Sequence, residues 1–166
     1  MKAYSAKEIK KEIELQSPKD LRDIIAHLAR FKKENKELLT YLLFVREDEE
    51  AYIQSIQENM DELFEQMNTS SYFFIKKTAR KILTQIKKFV RYSKKKETEI
   101  ELLLYYCNRL VDIEPSIFNS TALTNIFQRQ MAMIVKNLDA VHEDLQYDYQ
   151  NDLKDIRERV QHYIQP

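Results

Sequence analysis

Apolar residues recur at steps of three and four along almost the whole chain, the spacing that lines one face of a helix. Ile9, Ile13 and Leu15 follow Ser5 and Glu8, whose side chains can satisfy each other's free amides as a capping box. That pattern predicts a first helix over about 6–15. Ser17, Pro18 and Asp20 then supply an N-cap, a proline at the first helical position and an acid in the first turn. Leu21, Ile24, Ile25, Leu28 and Phe31 form the stripe of this second helix. The stripe can run on to Leu38, Leu42 and Val45, and a break near Asn35, capping a third helix, is expected.

Asp48 opens a fourth helix carrying Ile53, Ile56, Met60, Leu63 and Met67. Asn68 to Ser71 reads as a turn. A fifth helix is predicted over 72–92, with Ile75, Ala79, Ile82, Leu83, Ile86, Phe89 and Val90 inward. Ser93 is the expected cap of a sixth helix, which reaches Val111 before Pro115 ends the segment. Leu102 to Tyr106 leave that helix little polar face, so it should be central.

Ser120 opens the last stretch, over 120–164, where the apolar spacing meets no proline. As one straight helix it would extend about 66 Å, whereas a domain of this size has a radius of gyration of only ~15 Å. A break or bend is required. Three consecutive steps of four, from Val141 through Leu145 and Tyr149 to Leu153, place it at 148–151. The stretch should either fold back on the domain, which needs that break, or pair with a second chain along a straight apolar seam, rather than stand free. The irregular spacing favours fold-back.

Composition sharpens this picture. The 166 residues contain no glycine and three prolines. Tight hairpin turns want glycine at positive φ, so the chain is expected to be all-α. Six to eight helices should form a single domain over 1–166, as a helical bundle or a short α-α superhelix with no β-sheet. The same absence removes the glycine-rich loops that cradle phosphates and the G-x-S-x-G nucleophile elbow. Cys107 is the single cysteine and sits in an apolar run, so it reads as a small buried hydrophobe. No intrachain disulfide is possible, which fits a reducing, cytoplasmic setting. The start of the chain has no apolar signal region, and no apolar run approaches the ~20 residues that span a bilayer.

The net charge is zero, yet the charges are sorted by segment. Residues 47–65 hold eight acids and no base; residues 66–96 hold ten bases and no acid. At ~100° per residue, Glu58, Asp61, Glu62 and Glu65 fall opposite the apolar stripe of the fourth helix. Lys77, Arg80, Lys81, Lys88 and Arg91 fall opposite that of the fifth. An acidic ridge beside a basic ridge is the predicted surface. The basic ridge could neutralise phosphates of a nucleic acid. The balanced total charge and the lysine-rich face speak instead for a solvated helix surface.

The histidines offer little chemistry. His27, His142 and His162 each follow an acid by three or four residues (Asp23, Asp139 and Glu158). A carboxylate-bridged metal site in a bundle needs paired E-x-x-H motifs, and no E-x-x-H occurs here. No nucleophile, base and orienting group can be assembled. The sequence therefore points to a non-enzymatic helical module, needing no cofactor, that binds another protein or itself. A nucleic-acid-binding protein using the basic face of helix 72–92 is the alternative.

Overall fold

The computed structural model describes residues 1–163. Among these residues there are eight α-helices, one π-type turn and one short 3-10 turn, with no strand. The all-α architecture expected from the glycine-free, helix-spaced sequence is the one the chain adopts. Its contacts divide it into two compact units, Met1–Phe44 and Val45–Pro166.

The N-terminal unit holds α1 (Ala6–Glu14), α2 (Pro18–Phe31) and α3 (Lys33–Thr40). The predicted starts of the first two helices hold. The Ser5 hydroxyl accepts the Glu8 amide, closing the capping box. The Glu8 carboxylate accepts the Ser5 hydroxyl at 2.6 Å and the Ser5 amide at 2.8 Å, and these two bonds, the hydroxyl's first, hold the Glu8 carboxyl below its usual range. Ser17 caps α2 by accepting the Asp20 amide, with Pro18 in its first turn. The break after α2 falls at the extended Lys32 rather than at Asn35. Asn35 serves the preceding helix instead: its side-chain amide donates to the Leu28 carbonyl at 3.0 Å, filling an acceptor that the helix end leaves open. A π-type turn, Tyr41–Val45, follows α3.

The second unit is built from α4 (Glu49–Glu65), α5 (Tyr72–Ser93), α6 (Lys96–Val111), α7 (Thr121–Leu138) and α8 (Glu143–Val160). Central α6 packs against α4, α5, α7 and α8, and it buries Ile100, Leu102, Leu103, Leu104, Tyr106, Cys107 and Leu110. A helix apolar on most sides belongs inside. Ser93 does not cap α6. It ends α5, and its hydroxyl accepts the Lys95 amide across a connection in which Lys94 adopts φ 59°. The Lys94 amide closes the last bond of α5 on the Val90 carbonyl, and the positive φ at Lys94 then turns the chain out of the helix.

The expected break in the last stretch exists, but not at 148–151. Those residues lie inside α8, and the chain turns at Asp139 to Val141. Val141 is buried at that turn, and the His142 ring nitrogen caps α8 by accepting the Asp144 amide. Apolar spacing persists across the turn because both helices face the same core. With the turn in place α8 folds back onto α6 and α7, burying Tyr149, Leu153, Ile156 and Val160. Each such side chain removed from water is worth about 1.5–3 kcal/mol. Residue 164, the expected end of this segment, lies outside the described residues.

Candidate functional site

Ser5 and Ser17 set where α1 and α2 begin, and thereby which side their apolar residues take. In neither helix, nor in α3, is any residue buried. Ile24 and Ile25 each keep 45% of their surface, Leu28 46%, Phe31 67% and Phe44 80%. Ile9, Ile13, Leu15, Leu42 and Leu43 are exposed too. Tyr41 is the one buried hydrophobic residue of this unit among the described residues. Between α2 and the α3 segment runs an apolar groove of about 380 Å³, lined by Ile25, Ala26, Ala29, Leu39, Leu43 and Phe44, with Arg22 and Lys36 also in its wall. Alanines at 26 and 29 keep its floor low. The stripe of α2 was legible from spacing, but its exposure was not, since spacing says which face is apolar and not whether anything covers it.

The ridge residues sit in the second unit. Glu58, Glu62 and Glu65 are exposed on α4, and Glu58 accepts a hydrogen bond from Gln54 at 3.1 Å. Asp61 is not part of a free ridge. It accepts the Tyr105 hydroxyl and lies 3.1 Å from the Arg109 guanidinium, because α6 crosses on that side of α4. The Arg109 Nε proton is not aimed at the carboxylate, so this contact is an ion pair rather than an aligned hydrogen bond. Burial, and then the Asp61 carboxylate, push the Tyr105 phenol up to about 12.

Lys77, Arg80, Lys81 and Arg91 are exposed along α5 as predicted. Lys88 is half-buried, its ammonium 4.7 Å from the centre of the Phe89 ring. Arg91 and Lys87 also flank a small cleft of about 220 Å³ lined by Ile86, Val90, Leu103 and Met133. The basic face thus borders apolar surface at its C-terminal end and is solvated elsewhere.

The remaining candidates hold structural positions. Cys107 is buried, and burial pushes its thiol well above the ordinary range, away from a nucleophilic thiolate. His142 caps a helix, and His27 lies 6.4 Å from Phe31, ring to ring. Among the described residues, no three His, Cys, Asp or Glu side chains come together as a metal site, and no helix is long and apolar enough to cross a membrane. No protein family, curated protein or solved structure matches the chain.

Proposed function

We propose that this chain is a non-enzymatic, cytoplasmic interaction module that docks onto protein through the apolar face of its N-terminal unit. The supporting observation is the exposure of Ile24, Ile25, Leu28 and Phe31 on a helix with no buried residue. Contiguous exposed apolar surface marks interaction sites, whereas scattered apolar residues need no explanation. The non-enzymatic part rests on the missing glycine loops and on a cysteine held protonated by burial. The setting rests on that single, buried thiol.

The test compares proteins recovered from native lysate by the unmodified chain and by an Ile24→Asp/Leu28→Asp variant. Recovery should be lost in the variant and unaffected by nuclease. Equal recovery by both chains would exclude this face as the docking surface.

The second reading, a nucleic-acid partner, is favoured by one observation: four exposed cations (Lys77, Arg80, Lys81 and Arg91) along a single face of α5. Binding of that kind weakens steeply with salt, because each neutralised phosphate releases counterions. Replacing these four with glutamine should then flatten the salt dependence with helicity unchanged. No binding to DNA or RNA at low salt removes this reading.

A further inference from the structure

The groove between α2 and α3 faces a different way from the ridge of Ile24, Leu28 and Phe31. At ~100° per residue, its wall residues 22, 25, 26 and 29 fall on another side of α2 from residues 24, 28 and 31. The groove is therefore a surface of its own. We infer that it takes an acidic amphipathic helix of a partner protein, apolar side chains on the floor and carboxylates at the rim.

Shape gives the apolar half of that partner. Ala26 and Ala29 keep the floor low between walls of Ile25, Leu39, Leu43 and Phe44, and among the described residues none of α1 lines it. Two packed helices with an open trough between them offer a third helix a seat, its ridge of side chains entering their groove. From Arg22 to Ala29 the trough follows α2 for about 10 Å, the rise between positions i and i+7 of a helix laid along it.

Charge gives the acidic half. Arg22 and Lys36 stand in the groove wall, and an adjoining hollow that shares Ala29 and Lys36 adds Arg30, Lys32 and Lys33. Neither lining holds an acid; Asp20, Asp23, Glu34 and Glu37 of the same helices lie outside both. Lys33 pairs with Glu37 at 3.7 Å, and among the described residues no ion pair engages Arg22, Arg30, Lys32 or Lys36. Cations of one sign around an apolar trough attract and orient carboxylates. A second copy does not meet that need, since residues 1–44 carry ten bases against seven acids. A nucleic acid would match the cations and leave the apolar walls wet. A lipid surface cannot enter a trough between two helices.

The experiment titrates labelled peptides with the full chain and reads fluorescence anisotropy. The probe is a peptide of about 18 residues, long enough to hold helix, with leucines at i, i+4 and i+7 flanked by glutamates. One control has lysine for each glutamate, the other serine for each leucine. The acidic amphipathic peptide should bind about tenfold or more tighter than either control, and more weakly as salt rises. Arg22→Glu/Lys36→Glu, at two exposed positions, should shift the preference to the lysine peptide. Ala26→Leu should fill the trough and weaken binding, whereas Ile24→Asp/Leu28→Asp should leave it unchanged. If Ala26→Leu loses helicity, the charge-reversed variant alone decides. No binding of the acidic peptide, equal binding of the lysine control, or an unshifted preference in Arg22→Glu/Lys36→Glu overturns the inference. So does binding of phosphatidylserine vesicles but not of the peptide, which would make the ligand a membrane. If Ile24→Asp/Leu28→Asp alone abolishes binding, the groove falls and docking through the outer ridge stands.

Discussion

Lys94 is the residue at which the absence of glycine has a visible cost. It holds φ 59° and ψ 13° at the end of α5, the left-handed position that glycine usually fills after a helix. A residue with a Cβ is strained there by about 1 kcal/mol or more. Lys94→Gly should therefore stabilise the second unit by ~0.5–1 kcal/mol, after allowance for the freer unfolded chain. A melting temperature raised by a few degrees would show it, and a lowered one would refute the strain. Four residues on, Thr98 has the opposite role. It is fully buried, its hydroxyl donates to the Glu49 carboxylate at 2.6 Å, and it accepts the Ser93 hydroxyl. Lys95 closes on the same carboxylate at 2.9 Å. One side chain thus ties the start of α4, the end of α5 and the start of α6. Thr98→Val keeps the shape and removes the bonds, so it should cost about 1–3 kcal/mol, read as a fall in the denaturant midpoint at unchanged slope. No period in the sequence marks either residue, because one acts by backbone angle and the other by contacts 49 residues apart.

At the scale of elements, the starts marked by a side-chain cap were legible, and the breaks at Lys32 and at 139–142 were not. Ser5 with Glu8, Ser17 with Pro18, and Asp48 each act within four residues, so local chemistry alone locates α1, α2 and α4. The breaks at Lys32 and at 139–142 depend on what the following helix packs against, and no nearby residue announces them. Tyrosines bolt the resulting helices together. Tyr52 donates to the Phe89 carbonyl, Tyr106 to the Ala79 carbonyl, Tyr105 to Asp61 and Tyr149 to Glu101. These span α4 to α5, α6 to α5, α4 to α6 and α8 to α6. Burial is the largest cause that raises the phenols of Tyr105, Tyr106 and Tyr149, with the facing carboxylates of Asp61 and Glu101 adding to it at Tyr105 and Tyr149. The sign follows from linkage: a phenol that ionises near 10 in the unfolded chain and higher in the folded one favours unfolding as pH rises between the two values. Stability should be flat up to about pH 9 and fall from pH 10 through 12. Tyr105→Phe should blunt part of that fall, although its half-exposed ring limits the share it carries. A melting temperature independent of pH across 9–12 would show that these phenols titrate normally.

Across the whole molecule, periodicity located apolar faces and could not say which are covered. The stripes of α4 to α8 are buried, whereas that of α2, equally regular in sequence, is left half in water. The stripe of α2 differs only in what it packs against, and that depends on the number and length of the neighbouring helices. The consequence is a gradient of local stability that amide exchange can read. Opening free energies range from near zero for poorly packed elements up to the global value for the core. Amides of α6, surrounded by four helices, should exchange only through global unfolding. Those of α2 and α3 should exchange faster by orders of magnitude in a lone chain, because no buried residue resists their opening. If an acidic helix occupies the groove, protection there is set by mass action, growing as RT ln(1 + [L]/Kd) with the concentration of free partner. Exchange in α2 and α3 should then slow as the acidic peptide is added, by about tenfold for each 1.4 kcal/mol of protection gained, while α6 stays unchanged. Exchange indifferent to the peptide in both units would rule out an occupied groove. Without peptide, slow exchange of α2 at every dilution would mean that the N-terminal unit is stable alone.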